Sequence, residues 1–189
     1  MLNNLIDFYL KSHPITLGVL LLLSIYFIIL NWIFFYRLFS LNNWHARENA
    51  SLEALLLGSS SVSQFSFLNH FIKTSSNISK GILDLAVLAA TKEATKGLST
   101  LSVFASTTPF IGLFGTVVSI LETFTHIGQS SGSISVISSG VSDALIATAA
   151  GIFVAIFAYT YHQILKRKSY ELIGFIQMQN EAILARKEK

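Results

Sequence analysis

Cysteine is absent from this 189-residue chain, and charged residues make up only 12 % of it. Without cysteine there is no disulfide and no thiolate chemistry, although the compartment stays open. A soluble domain carries about 25 % charged residues, so about half of the expected charge is missing. Cations are also missing locally: the stretch between the second and third apolar runs has no Lys or Arg at all. What fills the space is hydrocarbon, at 52 % hydrophobic residues with 15 Phe.

The apolar residues fall into three runs. Ile15 to Phe35 contains no charge and is about twenty residues long, enough to cross a hydrocarbon core of about 30 Å. Leu98 to Leu121 is a second run, and Val136 to Leu165 a third, interrupted only by Asp143. The expectation is an all-α membrane protein with three transmembrane helices, spans two and three extending into a cytoplasmic helical bundle. The first run is too long for the apolar core of a signal peptide. It ends in Asn31, Trp32, Phe34, Phe35, Tyr36 and Arg37, an aromatic belt backed by a cation, which marks a retained anchor.

Of the 13 Lys and Arg, six lie between the first and second runs and six follow the third. Cytoplasmic loops carry the cations, so the amino terminus belongs outside and both basic segments inside. The expected layout is a periplasmic 1–14, a first span over 15–36 and a cytoplasmic helical loop over 37–97. A second span covers 98–126, a short outer loop 127–135, a third span 136–165, and an amphipathic cytoplasmic tail 166–189. Within the loop, Gly58 to Ser61 reads as a break between helices, and Asn77 or Ser79 as a helix cap. Lys166, Arg167 and Lys168, directly after a span, fit anionic lipid rather than nucleic acid. In the tail, Leu172, Phe175, Ile176, Ile183 and Leu184 recur among charges.

The second span is two-faced. At about 100° per residue, Ala105, Thr108, Gly112, Gly115, Thr116, Ser119 and Thr123 gather on one side. Phe110, Leu113, Phe114, Val117, Leu121 and Phe124 take the other. In lipid the greasy face meets acyl chains, and the small hydroxylated face meets other helices or a water-filled path. The third span carries its own ridge, Gly140, Ala144, Ala147, Gly151, Ala155 and Ala158, at helical spacing. Thr148 lies about 70° to one side of that ridge and Asp143 about 70° to the other, so they face different neighbours. An ionisable group inside a span costs roughly 2.5–3.5 kcal/mol on insertion scales. Asp143 thus serves either a proton path or an interhelical hydrogen bond. Glu122 and His126 read as an interfacial pair near the outer end of span two.

Other chemistries lack their parts. His13, His45, His70, His126 and His162 show no metal-ligand spacing. No glycine-rich loop precedes a helix with the lysine that phosphate binding needs, and no serine sits in a nucleophile motif. No enzyme and no cofactor is expected.

Two stretches carry a family resemblance. Thr107 to Val118 (Thr-Thr-Pro-Phe-Ile-Gly-Leu-Phe-Gly-Thr-Val-Val) and Gly140 to Gly151 (Gly-Val-Ser-Asp-Ala-Leu-Ile-Ala-Thr-Ala-Ala-Gly) resemble the paired signatures of the ExbB/TolQ family, relatives of MotA. The resemblance is specific over 98–165 and one of layout elsewhere. It implies a homo-pentameric ring in the bacterial inner membrane, enclosing the single spans of a two-copy ExbD- or TolR-like partner. That partner carries a titrating aspartate, and threonines matching Thr116 and Thr148 face it. Proton flow then energises a TonB- or TolA-like protein for biopolymer transport. Gly112, Gly115, Gly140, Ala144, Ala147 and Gly151 are the helix-packing positions; Thr116, Thr148 and Asp143 line the ion path. The chain departs from the family at Asp143, where Glu is usual, at Phe157 in place of Pro, and at His162 in place of Asn. A MotA-like stator subunit and a scaffold without an ion path are the alternatives.

Overall fold

The computed structural model describes residues 14–59, 61–74, 79–129 and 134–187. Several sequence expectations fall on positions outside that description: the outer segment before Pro14, the cap candidate Asn77, residues 130–133 of the outer turn, and the side chain of His126. The described residues form five α-helices and no strand: α1 Pro14–Leu56, α2 Phe67–Thr74, α3 Lys80–Ala94, α4 Leu98–Gln129 and α5 Ile134–Lys187. The fold is all-α, and three helical stretches are long and apolar enough to cross a membrane.

The chain divides into two compact units. The first comprises residues up to Trp32 and Thr100–Tyr161. Its core is Val19, Leu23, Ala147 and Val154, with Tyr26, Phe27, Ile111 and Ala150 packed against them. Tyr26 stacks on Phe104 with ring centroids 4.8 Å apart, and Phe157 meets Phe27 edge-on at 5.5 Å. A proline at 157 would forfeit both that ring contact and a backbone donor; with Phe there, α5 runs unbroken for 54 residues. The Tyr161 hydroxyl donates to Asn31 Oδ1 at 3.0 Å, while Asn31 Nδ2 donates to the Phe27 carbonyl at 2.8 Å. Both polar side chains are thereby satisfied on an otherwise apolar surface.

The second unit comprises Ile33–Ser99 and His162–Lys189. Here α1 continues as a helix because Leu41, Leu52 and Leu55 recur on one face and are buried. On α3 the buried positions are Leu83, Ala86, Ala90 and Ala94, and the three alanines permit close approach. Ser79 is its N-cap, accepting from the Ile82 amide. Its C-terminus is closed by tertiary donors. Arg37, 8 % exposed, donates through Nη2 to the carbonyls of Glu93 and Ala94 at 2.7 and 2.9 Å. The Ser169 hydroxyl adds a bond to Ala94 O at 2.8 Å. Gly97, at φ +86°, makes the turn into α4 in a conformation that other residues rarely adopt. Arg186 similarly donates to the carbonyls of Leu55 and Ser59 at the end of α1.

At the centre of this unit lies a carboxylate with no exposure, Glu48. Its Oε1 accepts from the Phe67 amide at 2.7 Å and Trp44 Nε1 at 3.0 Å. Its Oε2 accepts from Ser66 Oγ and Gln179 Nε2, each at 2.9 Å. Gln179, also fully buried, takes a bond from Ser51 Oγ at 3.0 Å. Three chain segments (the C-terminal part of α1, the start of α2 and the C-terminal part of α5) therefore meet on one side chain. A buried donor left without its acceptor costs about 1–3 kcal/mol. Glu48→Ala orphans the Phe67 amide and Trp44 Nε1, while Ser66 Oγ keeps Gln179 Oε1 and Gln179 Nε2 keeps the carbonyl of residue 48, so unfolding of the detergent-solubilised protein should lose at least ~2 kcal/mol. Glu48→Gln, keeping one oxygen acceptor, should lose less.

Candidate functional site

The seam between α4 and α5 in the first unit is built from glycine. A methyl placed on Gly112 would stand 2.8 Å from the Ala147 carbonyl oxygen and 3.1 Å from the Cα atoms of Gly151 and Thr148. One placed on Gly151 would stand 2.7 Å from Thr108 O and 2.9 Å from Gly112 Cα. At Gly115 the nearest atoms are Ala147 Cβ at 3.0 Å and Val19 Cγ1 of α1 at 3.1 Å. At Gly140 they are those of the Thr123 side chain. Ala144 and Ala147 are fully buried in the same seam. Lipid tails offer no hydrophobic drive for helix association, so this backbone-to-backbone contact is what holds such helices together.

The hydroxylated face of α4 lies along that seam. Thr108, Ser119 and Thr123 are buried, whereas Phe110, Leu113, Phe114, Val117, Leu121 and Phe124 are each more than half exposed. Ser119 Oγ donates across to Gly140 O at 3.3 Å. Thr108 and Thr123 return their protons to carbonyls of their own helix, Phe104 O and Ser119 O, both at 2.8 Å.

Thr116 and Thr148, one from each helix, share a hydrogen bond between their hydroxyls. Each has further acceptors within reach. Thr116 Oγ1 lies 3.1 Å from Ala144 O and 3.3 Å from Gly112 O, and Thr148 Oγ1 lies 3.3 Å from that same Gly112 O. Two protons thus face two carbonyls and two hydroxyl oxygens, so either threonine can donate to the other while its partner turns to a carbonyl. Such a pair passes on a hydrogen bond without titrating. Both residues are half-buried. Asp143 sits five positions before Thr148 on α5 and is 8 % exposed.

The structure therefore brings together Thr116, Thr148, Gly112, Gly115, Ala144, Ala147 and Gly151, and adds Val19 from α1. The place of α1 against this seam escaped the sequence reading. Val19, Leu23 and Leu30 are buried on it, but its span is apolar all round, so no polar contrast marks the packed face.

These features define a class: a multi-pass helical membrane protein whose glycine-packed helix pair carries interacting hydroxyls. The family model of the MotA/TolQ/ExbB proton channel family matches residues 60–178. An ExbB-like biopolymer transport protein of Helicobacter pylori is 40 % identical over 189 residues, covering 99 % of this chain and 100 % of that protein. The biopolymer transport protein ExbB of Neisseria gonorrhoeae is 46 % identical over 72 residues, 38 % of this chain and 33 % of that one. The Tol-Pal system protein TolQ of Pseudomonas aeruginosa is 33 % identical over 101 residues, 51 % of this chain and 44 % of that one. The chain belongs to the MotA/TolQ/ExbB proton channel family, on its ExbB/TolQ side. That is a family of transport channels, not of enzymes.

Gly151→Ala should push α4 from α5 and lower stability by ~1–3 kcal/mol, as over-packing does. Gly18→Ala makes the matched control, because nothing lies within 4 Å of the added methyl. That variant should stay within ~0.5 kcal/mol of the parent. Thermal unfolding of both in one detergent compares them directly.

Proposed function

We propose that this protein is the ring subunit of a motor driven by the proton-motive force in the bacterial inner membrane. Its amino terminus faces the periplasm and its carboxyl terminus the cytoplasm, following the distribution of Lys and Arg. Five copies surround the single spans of a two-copy ExbD- or TolR-like partner, and the assembly energises a TonB- or TolA-like protein for biopolymer transport. The observation that carries this reading is the Thr116–Thr148 hydroxyl pair on the glycine seam, with acceptors to spare and one side left open. In the ring, the pair exchanges hydrogen bonds with the partner's carboxyl, stabilising it neutral as acceptor and ionised as donor. Asp143 completes the ion path or holds an obligatory interhelical contact, and Lys166, Arg167 and Lys168 meet anionic headgroups.

Thr148→Val keeps the shape of the side chain and removes its hydroxyl. Transport energised by the complex should fall at least tenfold, with the oligomer and its partner retained in native mass spectrometry. Full activity after Thr116→Val, Thr148→Val and Asp143→Asn together would replace the motor with a scaffold that merely holds a partner helix. A MotA-like stator is disfavoured by three helices of spanning length among the described residues.

A further inference from the structure

The glycine seam fixes which way α4 is turned, so its exposed surface has two distinguishable sides. From Thr116 toward the start of the helix, Leu113, Pro109, Ser106 and Ser102 follow at helical spacing. At about 100° per residue all four lie within about 80° of Thr116. Val103 and Phe110, at the same depth, lie roughly 120–140° from it. Both sides are exposed, but their chemistry differs. Val103 and Phe110, 52 % and 70 % exposed, present only hydrocarbon. Ser102 and Ser106 present hydroxyls, and Ser102 Oγ has no hydrogen-bond partner among the described residues. On α5, Tyr159 stands 59 % exposed and about 20° from the direction of Thr148. Its hydroxyl likewise has no partner among the described residues.

A second observation on the same stretch is independent of side-chain polarity. Pro109 lies inside α4 and has no N–H to give to the carbonyl of Ala105, one turn back. In hydrocarbon such a carbonyl needs another donor, which a neighbouring hydroxyl can supply. Here the three nearest hydroxyls are engaged elsewhere. Ser106 and Thr107 donate to Val103 O at 3.0 and 2.8 Å, and Thr108 donates to Phe104 O at 2.8 Å. No side chain among the described residues donates to Ala105 O. Acyl chains carry no donor, whereas water both donates to a carbonyl and accepts from a serine. Ser106 lies ten residues, or about 15 Å, along the axis from Thr116, and Ser102 about 21 Å. Groups that call for water therefore extend from the level of the threonine pair to the start of the helix.

We infer that Ser102, Ser106 and the Ala105 carbonyl line a water-filled conduit from the Thr116–Thr148 pair to the cytoplasmic end of α4, with Tyr159 on its α5 side. The inference rests on the ring and orientation readings above, which turn the threonine side inward and leave Val103 and Phe110 to lipid. The chain has no cysteine, so thiols can be introduced singly: Ser102→Cys, Ser106→Cys, and at matching depth Val103→Cys and Phe110→Cys. Each variant, in inside-out vesicles of its native membrane, is treated with a charged methanethiosulfonate. Only the thiolate reacts, and a thiol in hydrocarbon stays protonated. Ser102→Cys and Ser106→Cys should react at least tenfold faster than the two lipid-side cysteines. Proton flux through the complex should then fall at least fivefold once Ser106→Cys carries its adduct. Equal rates on the two sides of an intact oligomer would overturn the inference, as would undiminished flux through fully labelled Ser106→Cys. A monomer in native mass spectrometry of the unmodified protein would instead bring down the ring reading and this inference with it.

Discussion

The close approach of backbone to backbone at Gly112 and Gly151 is the constraint on which the other features of the first unit depend. A single methyl at either position would stand within 3 Å of a carbonyl oxygen of the opposing helix. Dispersion between surfaces this close replaces the hydrophobic drive that lipid does not provide. The same proximity lets a threonine on α4 bond a threonine on α5, since neither hydroxyl projects far from its backbone. Packing and chemistry therefore cannot be separated at this seam: residues chosen for smallness set the distance that the hydroxyls need.

In the second unit polar side chains join segments distant in the chain. Glu48 ties three of them together, Arg37 and Ser169 close the end of α3, and Arg186 closes the end of α1. Each such bond satisfies a backbone or side-chain group that would otherwise be buried without a partner, and so each imposes one arrangement rather than several. Asn180 Oδ1 departs from this economy, being buried without a hydrogen-bond partner.

Hydroxyls are common helix glue, and the Thr116–Thr148 pair lies in a chain of a proton channel family. The pair differs from ordinary glue in having surplus acceptors. Ser119 and Thr123 each reach one carbonyl, while Thr116 and Thr148 have two carbonyls between them besides each other. Asp143 lies five positions before Thr148 on α5 and is buried.

The linear order of residues determined the three spans and the two faces of α4. Both follow from transfer free energies and from a helical period that needs no partner. It also determined the small-residue ridge of α5, since smallness at every third or fourth position is a local property. Only the tertiary structure decided which surfaces meet. It set Val19 of a uniformly apolar helix against Gly115, and put Thr148 on Thr116 32 residues away. It also set Gln179 on Glu48 131 residues away. Such contacts depend on how far separate segments approach, and no spacing within one segment encodes that distance.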